Sequence, residues 1–197
     1  MNQKPSMFII KDRDNANEGW MVYHKFWGAT KYQRLNETGA VATGSAYFNN
    51  TEPTSSVFTI GNNDVVNKSG DKYVTYCFAE KQGYSKFGSY AANENVNGTF
   101  VYTGFKPAFV ILRQSNLGRD WHMFDNKRST FNAVGRYLRP NVSGAEDSGE
   151  DYLDLLSNGF KLKNTGNRFN DADGTYIFMA FAESPFVTST GIPTTAR

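Results

Sequence analysis

A chain of 197 residues has room for one domain or two. Its 21 Lys and Arg against 19 Asp and Glu leave a formal charge of +2, with no basic stripe and no acidic block, which argues against a nucleic-acid partner and against a charged tail. The 16 Phe, 11 Tyr and 3 Trp are set among turn-forming Gly, Asn, Ser and Thr, the composition of an all-β protein.

Taken in order, residues 7–11 form a continuous apolar strand, 20–24 pair aromatic with aliphatic residues, and 31–35 alternate weakly. A further strand is expected at 56–60, ending on Gly61-Asn62-Asn63, and the longest apolar run of the first half is 73–80. Residues 84–90 and 99–103, joined by a polar Asn-rich stretch, are expected to form a hairpin. Strands then recur at 108–112, 121–124, 136–138, 159–162 and 175–183. No segment holds a helical period over three turns, and residues 145–158, interrupted by Gly149, promise a short turn at most.

The second set of strands repeats the first. Lys4-Pro5-Ser6-Met7-Phe8-Ile9-Ile10-Lys11 is answered by Lys106-Pro107-Ala108-Phe109-Val110-Ile111-Leu112-Arg113, Trp20 by Trp121, and Tyr73 by Tyr176. The offsets are 102, 101 and 103, so one folding unit is used twice. Residues 1–83 form a first β-sandwich repeat, 84–186 a second that opens with the hairpin, and 187–197 an extended C-terminal arm. The fold expected is all-β, two homologous antiparallel sandwich units in tandem, or one larger sandwich built from both repeats. Both faces of 73–80 and of 175–183 are largely apolar, which predicts central strands covered on each side. The first repeat has no counterpart of the lead hairpin, and an uncovered sheet edge is a template for pairing, so an oligomer is expected, a trimer being one form.

Site chemistry is sparse. Cys77 is the only cysteine and lies in an apolar run, which makes it a buried, inert thiol and excludes an intrachain disulfide and a cysteine zinc site. His24 and His122 occupy unmatched positions and are read as surface-strand residues. Asp12, Asp14, Asn17 and Glu18, and again Asn170, Asp171 and Asp173, offer oxygen ligands without the full calcium-loop pattern, so they are read as Asx-rich turns, with no metal and no cofactor. Glu80 and Glu183 match in the repeat, but each ends a core strand where a rim carboxylate is ordinary. No catalytic residue is assigned. No signal peptide or membrane-inserting segment is expected, since no run nears the ~20 apolar residues of a span. The remaining signal is aromatic. Trp20 and Trp121 are read as core, whereas Trp27, which has no counterpart, and Tyr32, Tyr47 and Tyr137 are the candidates for an exposed ligand-binding surface.

The order of motifs carries a resemblance. The run from Gly104 to Arg113, then Asp120-Trp121, Arg136-Tyr137-Leu138, Leu156-Ser157-Asn158-Gly159-Phe160-Lys161-Leu162, Gly174-Thr175-Tyr176 and Phe181-Ala182-Glu183 resemble a repeated β-rich module of tailed-bacteriophage virion proteins. Many of these are tail or tail-fibre proteins of marine and cyanobacterial phages. The first copy fits through Gly28-Ala29-Thr30-Lys31-Tyr32, Ser56-Val57-Phe58-Thr59-Ile60-Gly61 and the run from Asn67 to Glu80. The resemblance implies a non-enzymatic structural protein of the virion, in the tail or a tail fibre, that associates with other virion proteins and binds host surface polysaccharide. The alternative it leaves is a head decoration or cement protein with no host ligand, and more remotely a glycan depolymerase. It implies no catalytic residues.

Overall fold

A computed structural model of the chain describes residues 3–166 and 168–186. The expected arm at 187–197 lies outside the described residues. The protein is all-β, with three antiparallel sheets, and it divides into two compact units, Met1–Ala79 with one sheet and Glu80–Arg197 with two.

The first unit holds β1 (Met7–Asp12), β2 (Met21–His24), β3 (Lys31–Arg34), β4 (Ala42–Thr43), the helical turns α1 (Ser45–Phe48) and α2 (Asp64–Asn67), and β5 (Tyr73–Phe78). They make one sheet in the order β4-β3-β2-β1-β5. One face of that sheet, with Phe8, Ile10, Met21 and Tyr23, is covered by the helical turns through Phe48, Val65 and Val66. Phe8 stacks on Tyr23 at 4.6 Å, and the Phe48 ring meets both edge-on at 5.3 and 5.9 Å. Local chemistry sets the turns: the Asn63 side chain accepts the Val65 amide at 3.0 Å and so opens α2, while the Tyr73 hydroxyl donates to the Asp64 carbonyl at 2.6 Å and ties α2 to β5.

The second unit holds β6 (Ser85–Ala91), β7 (Phe100–Tyr102), β8 (Pro107–Gln114), β9 (Trp121–Asp125), β10 (Val134–Tyr137), β11 (Asp147–Leu156), β12 (Gly159–Leu162) and β13 (Thr175–Ala182). Two four-stranded sheets, β10-β11-β12-β7 and β6-β13-β8-β9, face each other across an aromatic core that includes Phe124, Tyr137, Tyr152, Phe160, Phe169, Tyr176 and Phe178.

The repeat holds down to single ladder positions. Tyr73 opposes Asp12 in the first unit, and Tyr176 opposes Gln114 in the second, as offsets of 103 and 102 require. The Lys25 amide donates to the Ser6 carbonyl at 2.8 Å, as that of Asn126 does to Ala108 at 2.9 Å. The Trp20 amide donates to the Asn36 side chain at 2.9 Å, as that of Trp121 does to Asn141 at 3.0 Å.

Four expectations change. Residues 56–60 are coil, because the Thr54 hydroxyl accepts the Ser56 and Val57 amides and turns the chain away from a ladder. Residues 147–156 form the longest strand instead of a short turn, with Gly149 at positive φ where β11 shifts register against β10. Residues 84–104 are no hairpin: β6 pairs with β13 and β7 with β12, so the polar connection crosses from one sheet to the other. Finally, β13 is central, between β6 and β8, but its counterpart β5 is an edge strand whose one neighbour is β1.

Candidate functional site

Of the four aromatic residues proposed from sequence, two come together. The Tyr32 and Tyr47 rings, both half-buried, lie 4.0 Å apart at the end of the first sheet. Gly44 makes room for them, since a Cβ there would stand 3.0 Å from the Tyr32 ring and 3.1 Å from that of Tyr47. A hydrogen bond to Tyr47 and partial burial push the Tyr32 phenol above its ordinary range. Beside Tyr32 lies a recess of about 160 Å³, edged by Arg34 and Glu37, which are ion-paired at 2.8 Å.

The other two are core. Trp27 is only 8 % exposed: the Trp27 and Gly28 amides both donate to the His24 carbonyl, with Gly28 at positive φ, and this tight turn lays the indole against the His24 ring at 5.7 Å. Tyr137 is fully buried among Phe124, Tyr152 and Phe169, and its hydroxyl takes a hydrogen bond from Arg168. Tyr137 stands where Tyr32 does in the repeat; in the second unit that position lies on β10 and is buried in the core between the two sheets. Both histidines are also interior, His24 beside Trp27 and His122 between Tyr137 and Phe169. The Asp12 turn spends its carboxylate on the Asp14 and Asn15 amides, and the Lys11 ammonium fills the loop by donating to the Asn15 and Glu18 carbonyls.

The most open aromatic surface lies in the second unit. Phe131 is 84 % exposed, in the loop between β9 and β10. That loop is firmly built. The Asp125 carboxylate accepts the Lys127 and Arg128 amides at 2.9 and 2.7 Å, and Arg128 ion-pairs with Glu146. The Asn132 amide group bonds both backbone groups of Leu155, at 3.0 and 2.9 Å, as an extra strand would.

Phe131 borders a cleft of about 360 Å³ with Lys106, Asn126, Asn132 and Glu183. Glu183 bonds Lys106 at 2.8 Å and Asn126 at 2.7 Å, and the Lys106 ammonium holds its carboxyl below the ordinary range. Glu80, the matched residue, is ion-paired to Lys86 at 2.6 Å, so both repeat carboxylates are rim residues with lysine partners. Ser129 belongs to the cleft and also to a broad trough of about 860 Å³, lined by Arg136, Glu150, Asp151, Lys163 and Asn164. The surface therefore offers a flat apolar ring beside fixed donors and acceptors of both charges, a set suited to a polyhydroxylated ligand. In sequence, the signal is a lone aromatic inside the polar run Asn126-Lys127-Arg128-Ser129-Thr130-Phe131-Asn132; a search confined to Trp and Tyr passes over it.

Over residues 1–185 the chain matches the family model described as a domain of unknown function (DUF7483). The protein belongs to this family. No curated protein and no solved structure matches the chain. The match spans both units, so the doubled architecture, with one single-sheet half and one two-sheet half, lies inside the family's domain.

Proposed function

We propose that this protein is a non-enzymatic structural component of a tailed-phage virion, placed in the tail or a tail fibre, whose second unit binds host surface polysaccharide at the Phe131 cleft. The observation that carries the binding half is Phe131 itself. A phenyl ring 84 % exposed on a loop pinned by Asn132 and Asp125 costs hydration energy and adds nothing to the core, so its use lies outside the fold. The adjoining trough would carry neighbouring sugar units over Arg136, Glu150, Asp151 and Lys163. Single sites of this kind are weak and gain from the many copies that a virion presents. The virion half rests on the order of motifs set out above.

Purified bacterial capsular and O-chain polysaccharides, arrayed and probed with the full chain, test this reading. Binding to at least one of them is expected, with Phe131→Ala weakening it by about 10-fold through loss of ring stacking and leaving the thermal transition unmoved. Binding that ignores Phe131→Ala, or no binding to any polysaccharide, counts against the adhesin. A second reading, a head decoration protein that binds only virion partners, is favoured by the open edge of β5.

A further inference from the structure

We infer that β5 is a self-pairing edge, joining a second copy of this chain through an antiparallel β5–β5 ladder about a two-fold axis at Thr75. This rests on strand geometry and is independent of the polysaccharide reading. The Arg13 amide donates to the Lys72 carbonyl, and the β1–β5 register then makes Val74 and Tyr76 bond inward to β1. The backbone groups of Tyr73, Thr75 and Cys77 therefore point out of the sheet, and those of Thr75 and Cys77 meet no partner among the described residues. In the second unit the same positions, Tyr176, Phe178 and Ala180, bond to β6 along a ladder running from Thr175 opposite Ala91 to Phe181 opposite Ser85. Among the described residues, one unit thus shows the edge occupied and the other shows it open.

The side chains of β5 mark it out among the strand edges. Natural edges are blunted by shortness, charge, proline or bulges. The edge strands β4 and β7 have two and three residues, β10 carries Arg136 beside a register shift, β6 carries Lys86, and β9 carries Asp125 and exchanges bonds at Met123 with Leu138 just past β10. In contrast, β5 reads Tyr-Val-Thr-Tyr-Cys-Phe, six residues with no charge, no proline and no bulge.

Its own sequence is the complementary strand. Pairing about Thr75 sets Thr75 against Thr75 of the second copy, Tyr73 against Cys77, and Val74 against Tyr76. Hydroxyl pairs and aromatic–β-branched pairs of this kind are favourable across antiparallel strands. The three outward residues would exchange about six N–H···O bonds. Sterics agree: β6 needs Gly88 because the Phe178 ring lies 2.8 Å from where a Cβ would be, but Thr75 replaces Phe178 in the first unit and leaves room for a second threonine. Tyr76 is 47 % exposed, so the strand is reachable.

Sedimentation equilibrium of the full chain tests the pairing. The expected species is a dimer of about 44 kDa, twice the 22.1 kDa chain, that dissociates on dilution. Thr75→Pro deletes an outward N–H without touching the β1 ladder. It should weaken the dimer at least 10-fold while the thermal transition of diluted, monomeric protein stays in place. The double variant Thr75→Cys, Cys77→Ser should oxidise to a single disulfide-linked dimer, as the two-fold register demands. A wild-type chain that stays monomeric at every concentration overturns the inference, and so does a dimer indifferent to Thr75→Pro.

Discussion

Replacing Phe169 by Ala will lower the stability of the second unit by about 3–5 kcal/mol. The ring is fully buried and lies within 4.5 to 5.4 Å, centroid to centroid, of His122, Phe124, Tyr137 and Tyr152. Four of these five rings are apolar or phenolic and meet at steep angles, so removing the central one leaves a void that rigid neighbours fill poorly. Phe169 comes from the turn ahead of β13, and its carbonyl accepts the Tyr90 hydroxyl at 2.9 Å, so the same change loosens the seat of β6. Urea unfolding at neutral pH measures the loss; a shift under about 1 kcal/mol would mean that the site collapses freely or that the ring is not central.

The second large effect is a dependence on acid that runs through His122. Burial drives its imidazole from an ordinary value of 6.5 down to about 3, against the pull of Asp120 and with the help of Arg168, Arg113 and Arg139. The folded pKa is the lower one, so the stabilisation is complete above pH 6.5 and is lost as pH falls toward 3, because only the unfolded chain takes up the proton. The slope is about 1.4 kcal/mol per pH unit once the unfolded imidazole is charged. Between pH 6.5 and about 4.5 protonation of the unfolded imidazole alone should cost the wild type about 2 kcal/mol. His122→Phe, which keeps the ring against Tyr137 and Phe169, should lose much less. Equal losses in the two proteins would place the acid sensitivity elsewhere.

Much of the architecture is written in the chain because β-strands bury side chains with short periods. The apolar runs at 7–11, 73–80, 108–112 and 175–183 became β1, β5, β8 and β13, and the offsets between them carried over into ladder registers. What a local pattern leaves out is pairing. Nothing in residues 84–104 tells a hairpin from two strands that part into different sheets, since both need the same polar connection. Nothing in 73–80 alone tells an edge from a centre, because both faces are apolar either way. Residues 56–60 resemble 159–162, but the helical turns α1 and α2 take the place of a second sheet, and Thr54 turns the segment into coil.

The candidate surface was less legible for a related reason. Tyr32 and Tyr137 are one position in the repeat, yet only the half with a second sheet buries it. Trp27 looked outward because it lacked a counterpart, but a tight turn at Gly28 folds it inward. Phe131 was hidden by its polar neighbours, although an isolated aromatic in such a run has no core to join. Asn36 and Asn141, each holding a tryptophan amide, are polar residues that the repeat preserves for structure.

One asymmetry sets the two units apart: they carry two copies of the same ladder, with the outer edge filled in the second unit and, among the described residues, open in the first. Site-resolved amide hydrogen exchange on the dilute, monomeric chain measures it directly. The Thr75 and Cys77 amides should exchange at rates near those of loops, while the matched amides of Phe178 and Ala180, bonded to β6, stay protected by orders of magnitude. Protection should appear at Thr75 and Cys77 as concentration rises and the dimer forms. If these two amides are as protected as Phe178 and Ala180 in the monomer, the edge is already filled within the chain and the asymmetry does not exist.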